Sequence, residues 1–173
     1  AERFTDLRKE VIEGILTLLH SGIIVGLATG RGKSVKEVLR TQICNSSIHK
    51  RVLIGYHNAS EIGRLDDDSI PSKYQSLNES LTSINAGLIE TKFVLDNARV
   101  EAKGKQITLE VNSPAVMQDL WNCVSDVVCR HAVVGARLVR STHSIDILAP
   151  GVSKCSLVEA LMQELERSHS DPA

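Results

Sequence analysis

Thr29, Gly30, Arg31 and Lys33 stand close together where the apolar run of Ile23, Ile24, Val25 and Leu27 gives way to small and basic residues. A hydroxyl, two cations and the N–H groups of a glycine-rich turn are what holds an oxyanion, above all a phosphoryl group. Ser34 and Glu37 have the spacing of a capping box, so a helix is expected to start at Ser34 with its positive dipole end facing the turn. An ordinary strand-to-helix turn uses the same Gly and Thr without binding anything. A further cation, Lys154, follows Gly151-Val152-Ser153 at the start of another helix. A lysine in a first helical turn opposes the helix dipole, which makes a nearby anion worth looking for; an isolated surface lysine is the plain alternative.

These residues need a strand and a helix behind them. Ile23 to Leu27 reads as a strand buried on both faces, of the kind found in parallel sheets. Phe4, Leu7, Val11, Ile12, Ile15, Leu16 and Leu19 follow the helical period ahead of it, and His20, Ser21 and Gly22 supply the stop. A helix from Val35 to Ile43 and a second apolar strand, Arg51 to Tyr56, come next, followed by a turn and a short extra strand from Asn58 to Ile62. Helix, strand, helix, strand is a βαβ pattern without its first strand.

Leu65 to Lys73 is polar and broken by proline, a natural linker. Its Asp66 and Asp68 have the spacing of a nucleophile and an acid–base partner, but no apolar strand precedes them; three adjacent aspartates read as a solvated turn. A helix from Ser76 to Glu90, capped by Ser76 and Glu79, carries Leu77, Leu81, Ile84 and Leu88. The period then changes to two, and Ala98 to Ala102 with Gln106 to Val111 reads as a hairpin. Ser113-Pro114 opens a long helix to Arg130, in which Trp121 is expected to pack. Ala136 to Ser141 and Ser144 to Leu148 form a second antiparallel pair. The final helix is expected to bury Leu157, Val158, Leu161, Met162 and Leu165. Gly151 to Cys155 lacks the last glycine of a nucleophile elbow, so Ser153 is not read as a nucleophile.

Composition narrows the function. The 173 residues are 42% apolar, 24% charged and only 3% aromatic, so Val, Ile and Leu fill the interior. Twenty basic against 21 acidic residues leave a formal charge of −1, which gives no general attraction for nucleic acid or an acidic membrane. No run reaches transmembrane length and no signal peptide is evident, so the default location is cytoplasmic. Cys44, Cys123, Cys129 and Cys155 include no Cys-x-x-Cys pair and suit reduced thiols rather than zinc or disulfides. His49, His57 and His143 are expected as surface or satisfied core residues.

Two families bear on Gly22 to Ser34. Gly32-Lys33-Ser34 invites a P-loop reading, but the glycine that loop needs five residues before Gly32 is Leu27. The Leu27-Ala28-Thr29-Gly30-Arg31 ending resembles instead the second motif of the haloacid dehalogenase-like phosphatases, in their sugar-phosphate branch. The Asn58 turn is similar to that branch's Asn-Gly-Ala turn, with Ala59 in place of the glycine, and Gly151-Val152-Ser153-Lys154 resembles its later lysine motif. The resemblance implies an α/β fold: a partial, Rossmann-like parallel core formed by residues 1–64 and 144–173, with an α+β cap inserted at 65–143. It implies that the Thr29 hydroxyl and the Gly30 N–H hold the phosphoryl group, that Lys154 neutralises its charge, and that Arg31 and Asn58 shape the substrate side. The substrate class it implies is a small phosphorylated metabolite such as a sugar phosphate, with Mg2+ as cofactor.

The family's Asp-x-Asp nucleophile strand and its magnesium-binding acidic motif have no counterpart in this sequence. No metal ligand is therefore assigned, and the chain alone is expected to be inactive, as the middle of a phosphatase. The strand at Gly22 to Thr29 is expected to have an open edge, to be covered by a second copy, a complementing segment or the rest of a longer chain. A non-catalytic module that binds a phosphate ligand is the other reading, and a nucleotide-binding P-loop the third.

Overall fold

The computed structural model describes residues 8–72 and 75–170, apart from the side chains of residues 168–170. Phe4, Leu7 and Lys73, which the expected first helix and linker include, lie outside the described residues. The chain falls into two compact units, residues 1–73 with 153–173 and residues 74–152. No described helix is long and apolar enough to cross a membrane.

In the first unit, helix α1 (Lys9–His20) buries Ile12, Ile15 and Leu19 at helical spacing, while Val11 is exposed. Its end is a Schellman turn: the Gly22 N–H donates to Leu19 O (3.1 Å) and the Ile23 N–H to Leu18 O (3.0 Å), with Gly22 at φ 84°. Strand β1 (Val25–Ala28) pairs in parallel with β2 (Val52–Tyr56), and the chain passes between them through α2 (Lys33–Gln42) and a 3-10 turn (Ser46–Arg51). Strand β3 (Glu61–Arg64) runs antiparallel to β2, giving the order β1-β2-β3. Alternation sends Val52, Ile54 and Tyr56 into the core built with α1 and α2, and Leu53 into a smaller cluster with Leu157 of α6 (Cys155–Ser170). The result is a sheet with helices on both faces.

β2 is buried along its whole length, but β1 is only half-buried and Ala28 is exposed. The expectation that Ile23 to Leu27 forms a strand buried on both faces is therefore not met by β1, whereas β2 is such a strand. Among the described residues β1 pairs with β2 alone, so its other edge carries no strand. The expected capping box is also absent. Helix α2 begins at Lys33 with Gly32 as its N-cap and no side-chain cap, and Glu37 lies instead 3.6 Å from Lys33 Nζ. Gly32 at the cap position lies against the His57 ring, which a Cβ there would displace.

The inward face of α2 contains a lysine. Lys36 is buried, and its ammonium donates to the carbonyls of Asp67 and Ile70 and stands 3.8 Å from Asp68 Oδ1. Arg40, one turn on, donates through Nε to Leu65 O (2.8 Å) and through Nη1 to Asp68 Oδ1 (2.7 Å). Burial lowers the Lys36 pKa and Arg40 lowers it further, while Asp68 and Asp67 oppose. Residues 65–70, expected as part of a free linker, are thus fastened to the first unit by two side chains. The first boundary falls at 73/74 rather than 64/65.

The second unit opens with α3 (Glu79–Glu90), capped by the Asn78 side chain, which accepts from the Ser80 N–H at 3.0 Å; Ser76, the expected cap, precedes the helix. A short helix, α4 (Lys92–Asn97), was not foreseen. Strands β4 (Ala98–Lys103) and β5 (Gln106–Val111) form the expected hairpin about Gly104-Lys105, with Gly104 at φ 56°. Ser113 accepts from the Ala115 N–H (3.3 Å), and a 3-10 turn (Pro114–Val116) leads into α5 (Met117–His131). Strands β6 (Arg137–Arg140) and β7 (Ser144–Leu148) complete an antiparallel sheet of order β4-β5-β7-β6. Its core joins Leu81, Ile84 and Leu88 of α3 to Leu120, Val124 and Val127 of α5, and Trp121 packs against it. β7 lies between β5 and β6, so the stretch from 144, expected in the parallel core, belongs to that unit only from residue 153.

Helix α6 returns to the first unit, burying Leu157 and laying Leu161 against Gly26. Val158, Met162 and Leu165, expected on its buried face, are exposed. The molecule is of the α/β class.

Tyr56 tests the core electrostatically. It is fully buried in β2, and its Oη has no hydrogen-bond partner among the described residues. Burial pushes its pKa from 10.0 up to about 12, with Asp67 and Glu61 adding and Arg40 opposing. Between these values the unfolded chain has released a proton that the folded chain keeps, so stability falls as pH rises through that window, by about 2–3 kcal/mol in all. Tyr56→Phe is expected to remove that loss. At neutral pH the variant should be at least as stable, because a buried hydroxyl without a partner costs about 1–3 kcal/mol. Urea unfolding of both proteins, at neutral pH and between pH 10.0 and about 12, measures it.

Candidate functional site at the carboxyl ends of two parallel strands

Beyond Ala28 the chain keeps its pairing for one more residue, the Thr29 N–H donating to Gly55 O at 2.9 Å. Two further bonds lock the turn after β1 to the turn after β2, and a third closes the first turn on itself. The Asn58 N–H donates to Thr29 O (2.8 Å), the His57 N–H to Arg31 O (3.1 Å), and the Arg31 N–H to Thr29 Oγ1 (3.0 Å). Thr29 Oγ1 thus accepts from inside the turn, and its own proton is left to give to an acceptor. Gly30 and Arg31 are exposed, Thr29 is half-buried and Asn58 is buried.

The turn after β2 has an unusual backbone. His57, Asn58 and Ala59 have φ of 48°, 59° and 63°, three consecutive left-handed residues without a glycine. Asn and His tolerate this region; an alanine there costs about 1–2 kcal/mol. Ala59, at the place of the glycine in the resembled Asn-Gly-Ala turn, nevertheless adopts the left-handed conformation that favours glycine. Its methyl packs in a buried cluster with Leu53 and Leu157, and Gly55 leaves it room: a Cβ built on Gly55 would lie 2.8 Å from that of Ala59.

Lys154 reaches this end of the sheet by the direction of α6. Leu157, in its first turn, lies beside Gly55 near the carboxyl end of β2, whereas Glu164 and Arg167 lie by Leu53 and Arg64 near the start of β2. The helix therefore runs against β2, and its beginning stands over the carboxyl end. Ser153 Oγ accepts from the Cys155 N–H at 3.2 Å, so Ser153 serves that helix start. Lys154 is exposed, and its ammonium has no hydrogen bond or ion pair among the described residues. Thr29, Arg31 and Asn58 are thus linked by direct hydrogen bonds, with Gly30 between the first two in the chain, and Lys154 stands at the same edge of the same unit.

Asp66, Asp67 and Asp68 lie away from it. Asp68 is held by Arg40, whose guanidinium keeps its carboxyl below the usual range, and Asp67 accepts from the Ser69 N–H and hydroxyl. Asp66 and Asp67 border a cleft of about 630 Å³ with Leu53, Ile62 and Arg64, across which Glu164 bridges Arg64 (2.5 Å) and Arg167 (3.2 Å). Sequence reasoning missed Gly55, Gly32 and His57, the residues that let the two turns meet. The glycines were visible, but what each must avoid lies on the other strand.

No family model and no curated protein matches the sequence. Solved structures do. The ATP-bound IMP-nucleotidase of Plasmodium falciparum superposes with a TM-score of 0.63 at 10% identity, over 91% of this chain and 45% of that one. A haloacid dehalogenase-like hydrolase from Bacteroides thetaiotaomicron gives 0.61 at 11% identity, over 92% of this chain and 71% of that one. The fold is that of the haloacid dehalogenase-like phosphatases. The C-terminal domain of the C. albicans trehalose-6-phosphate phosphatase shares it, with a TM-score of 0.57, 14% identity and coverage of 88% of this chain and 53% of that one. The chain spans about half the length of the IMP-nucleotidase structures. In the haloacid dehalogenase-like fold the Thr29 and Asn58 turns sit where open α/β sheets bind ligands, beyond the carboxyl ends of parallel strands.

The close approach of Gly55 and Ala59 gives a prediction. Gly55→Ala is expected to cost about 1–3 kcal/mol by overpacking. Ala59→Gly relieves backbone strain by itself, but in the Gly55→Ala background it should stabilise by about 1 kcal/mol more than it does alone, a coupling that independent sites would not show. Unfolding free energies of the two single variants and the double variant measure it.

Proposed function

We propose that this chain carries the phosphate-binding part of a haloacid dehalogenase-like phosphohydrolase acting on a small phosphomonoester of the sugar-phosphate kind. The observation that supports it is the interlocked pair of turns, which holds the Thr29 hydroxyl and the Gly30 N–H at the carboxyl ends of β1 and β2. In this reading both donate to phosphoryl oxygens. Lys154 brings a positive charge to the same end, and fixed donors with a nearby cation stabilise the charge on a transferring phosphoryl group. Arg31 and Asn58 border the substrate.

The donor set at this end is neutral and cationic, which suits an anion rather than a metal ion. Among the described residues no group of three or more His, Cys, Asp and Glu is placed to hold one. These residues do not form the family's Mg2+ site, and no step is derived through the ion. In this proposal the Asp nucleophile and the metal ligands come from a further strand along the unpaired side of β1 and from a further acidic segment. The chain by itself then binds its ligand without turnover.

Hydrolysis of p-nitrophenyl phosphate with Mg2+ tests this, using the chain alone and a longer polypeptide from the parent gene that supplies the Asp-x-Asp strand and the acidic segment. Activity is expected only from the longer polypeptide, falling about 10²–10³-fold on Lys154→Ala, the scale for losing one stabiliser of transition-state charge. Equal activity from the chain alone would place a nucleophile among these residues and overturn the proposal in that part. Inactivity of both, with binding of inorganic phosphate intact, would replace it with the non-catalytic binding reading.

A further inference from the structure

The ring of His57 lies against Gly32: a Cβ built on Gly32 would stand 2.7 Å from His57 Nε2 and 2.8 Å from Cε1. No side chain fits at residue 32 while the ring is there. The same histidine starts the left-handed run after β2 and donates its N–H to Arg31 O, so backbone and ring both bear on the turn from Thr29 to Gly32. Gly32 is in turn the N-cap of α2, with no side-chain cap of its own. The ring therefore touches the backbone from which that helix starts.

We infer that His57 is a positioning residue for the anion-binding turn, acting by the packing of its ring on Gly32. This rests on the reading of Thr29 and Gly30 as phosphate donors and adds to it a residue that touches no phosphate. The ring fills the space of a residue-32 side chain and holds the turn from the side of β2. Strained backbone at functional sites persists only where its surroundings hold it, and the bonds to Arg31 and Thr29 and the ring contact are among the restraints here.

The test uses inorganic phosphate as probe, with its affinity for the full chain measured by calorimetry beside thermal unfolding without phosphate. His57→Ala is expected to weaken binding about tenfold. His57→Phe keeps a flat ring and is expected to stay within about threefold of the unchanged chain. Ala and Phe both lack the tolerance of His for positive φ, so their comparison separates the ring from the backbone. Gly32→Ala should weaken binding alone, yet in the His57→Ala background it should raise the affinity, because its methyl takes up space the ring has left. Such a reversal in affinity is not expected of a role in stability alone.

If His57→Ala and Gly32→Ala bind as the unchanged chain does while Thr29→Val binds weakly, this inference is overturned and the proposed site stands. Equal losses for His57→Phe and His57→Ala overturn it too, assigning the effect to the imidazole nitrogens. No saturable phosphate binding by the unchanged chain overturns both the inference and the binding site it rests on.

Discussion

The structure at the candidate site depends on two strand ends being tied together beyond the last regular pair of a short parallel ladder. Parallel pairing aligns β1 and β2 only as far as Ala28 and Gly55. Past that point the Thr29 N–H to Gly55 O bond continues the ladder, and the Asn58 N–H reaches back to Thr29 O. The second bond requires the chain after β2 to turn sharply, which the left-handed run at His57, Asn58 and Ala59 accomplishes. That reversal brings Ala59 down onto Gly55, and a residue with a Cβ at either Gly55 or Gly32 would obstruct it. Strain in one turn and two missing side chains are thus parts of one constraint, whose product is a Thr29 hydroxyl held in place from within.

A second constraint fixes the other border of the first unit. A lysine buried among apolar neighbours survives only if its ammonium is solvated by protein. Lys36 is solvated by the carbonyls of Asp67 and Ile70, which belong to a stretch too polar to have formed an element of its own. The chain from Leu65 to Ile70 is ordered by the need of that ammonium as much as by its own sequence, and Leu65 is carried into the core with it. The aspartates there have structural partners. Asp68 neutralises Arg40 and Asp67 accepts from Ser69, structural roles that have nothing to do with nucleophilic chemistry.

The elements that sequence made legible are those governed by one local rule. Helical spacing located Ile12, Ile15 and Leu19, alternation located the hairpin about Gly104, and the change from apolar to small and basic residues located the Thr29 turn. What it missed depends on contacts between distant residues. Ser34 and Ser76 have the composition of helix caps, but Gly32, beside the His57 ring, occupies the cap position of α2 and Asn78 caps α3 by its own side chain. Lys36 reads as a solvent-facing residue until the carbonyls that bind it are known. The Ser144–Leu148 strand was matched correctly to its neighbour on one side, and its second neighbour, β5, lies too far back in the chain for periodicity to reveal.

The uneven burial of the parallel pair bears on what surrounds this unit. β2, with a neighbour on each side and helices on both faces, hides every residue. β1 has a similar apolar character and the same helices to lie between, yet none of its residues is fully covered, as expected of a strand with a neighbour on one side only. The exposed Val158, Met162 and Leu165 follow one side of α6, the helix that packs on β1 and β2. An apolar strand without a partner on one edge and an apolar stripe on a helix packed against that strand are the two surfaces that widening the sheet by one strand and its covering element would bury. A parallel strand added there would end beside Thr29, and a side chain at its carboxyl end would enter the site from the side opposite Asn58. The proposal accordingly looks along that edge of β1, rather than among the aspartates that follow β3, for the group that completes the chemistry.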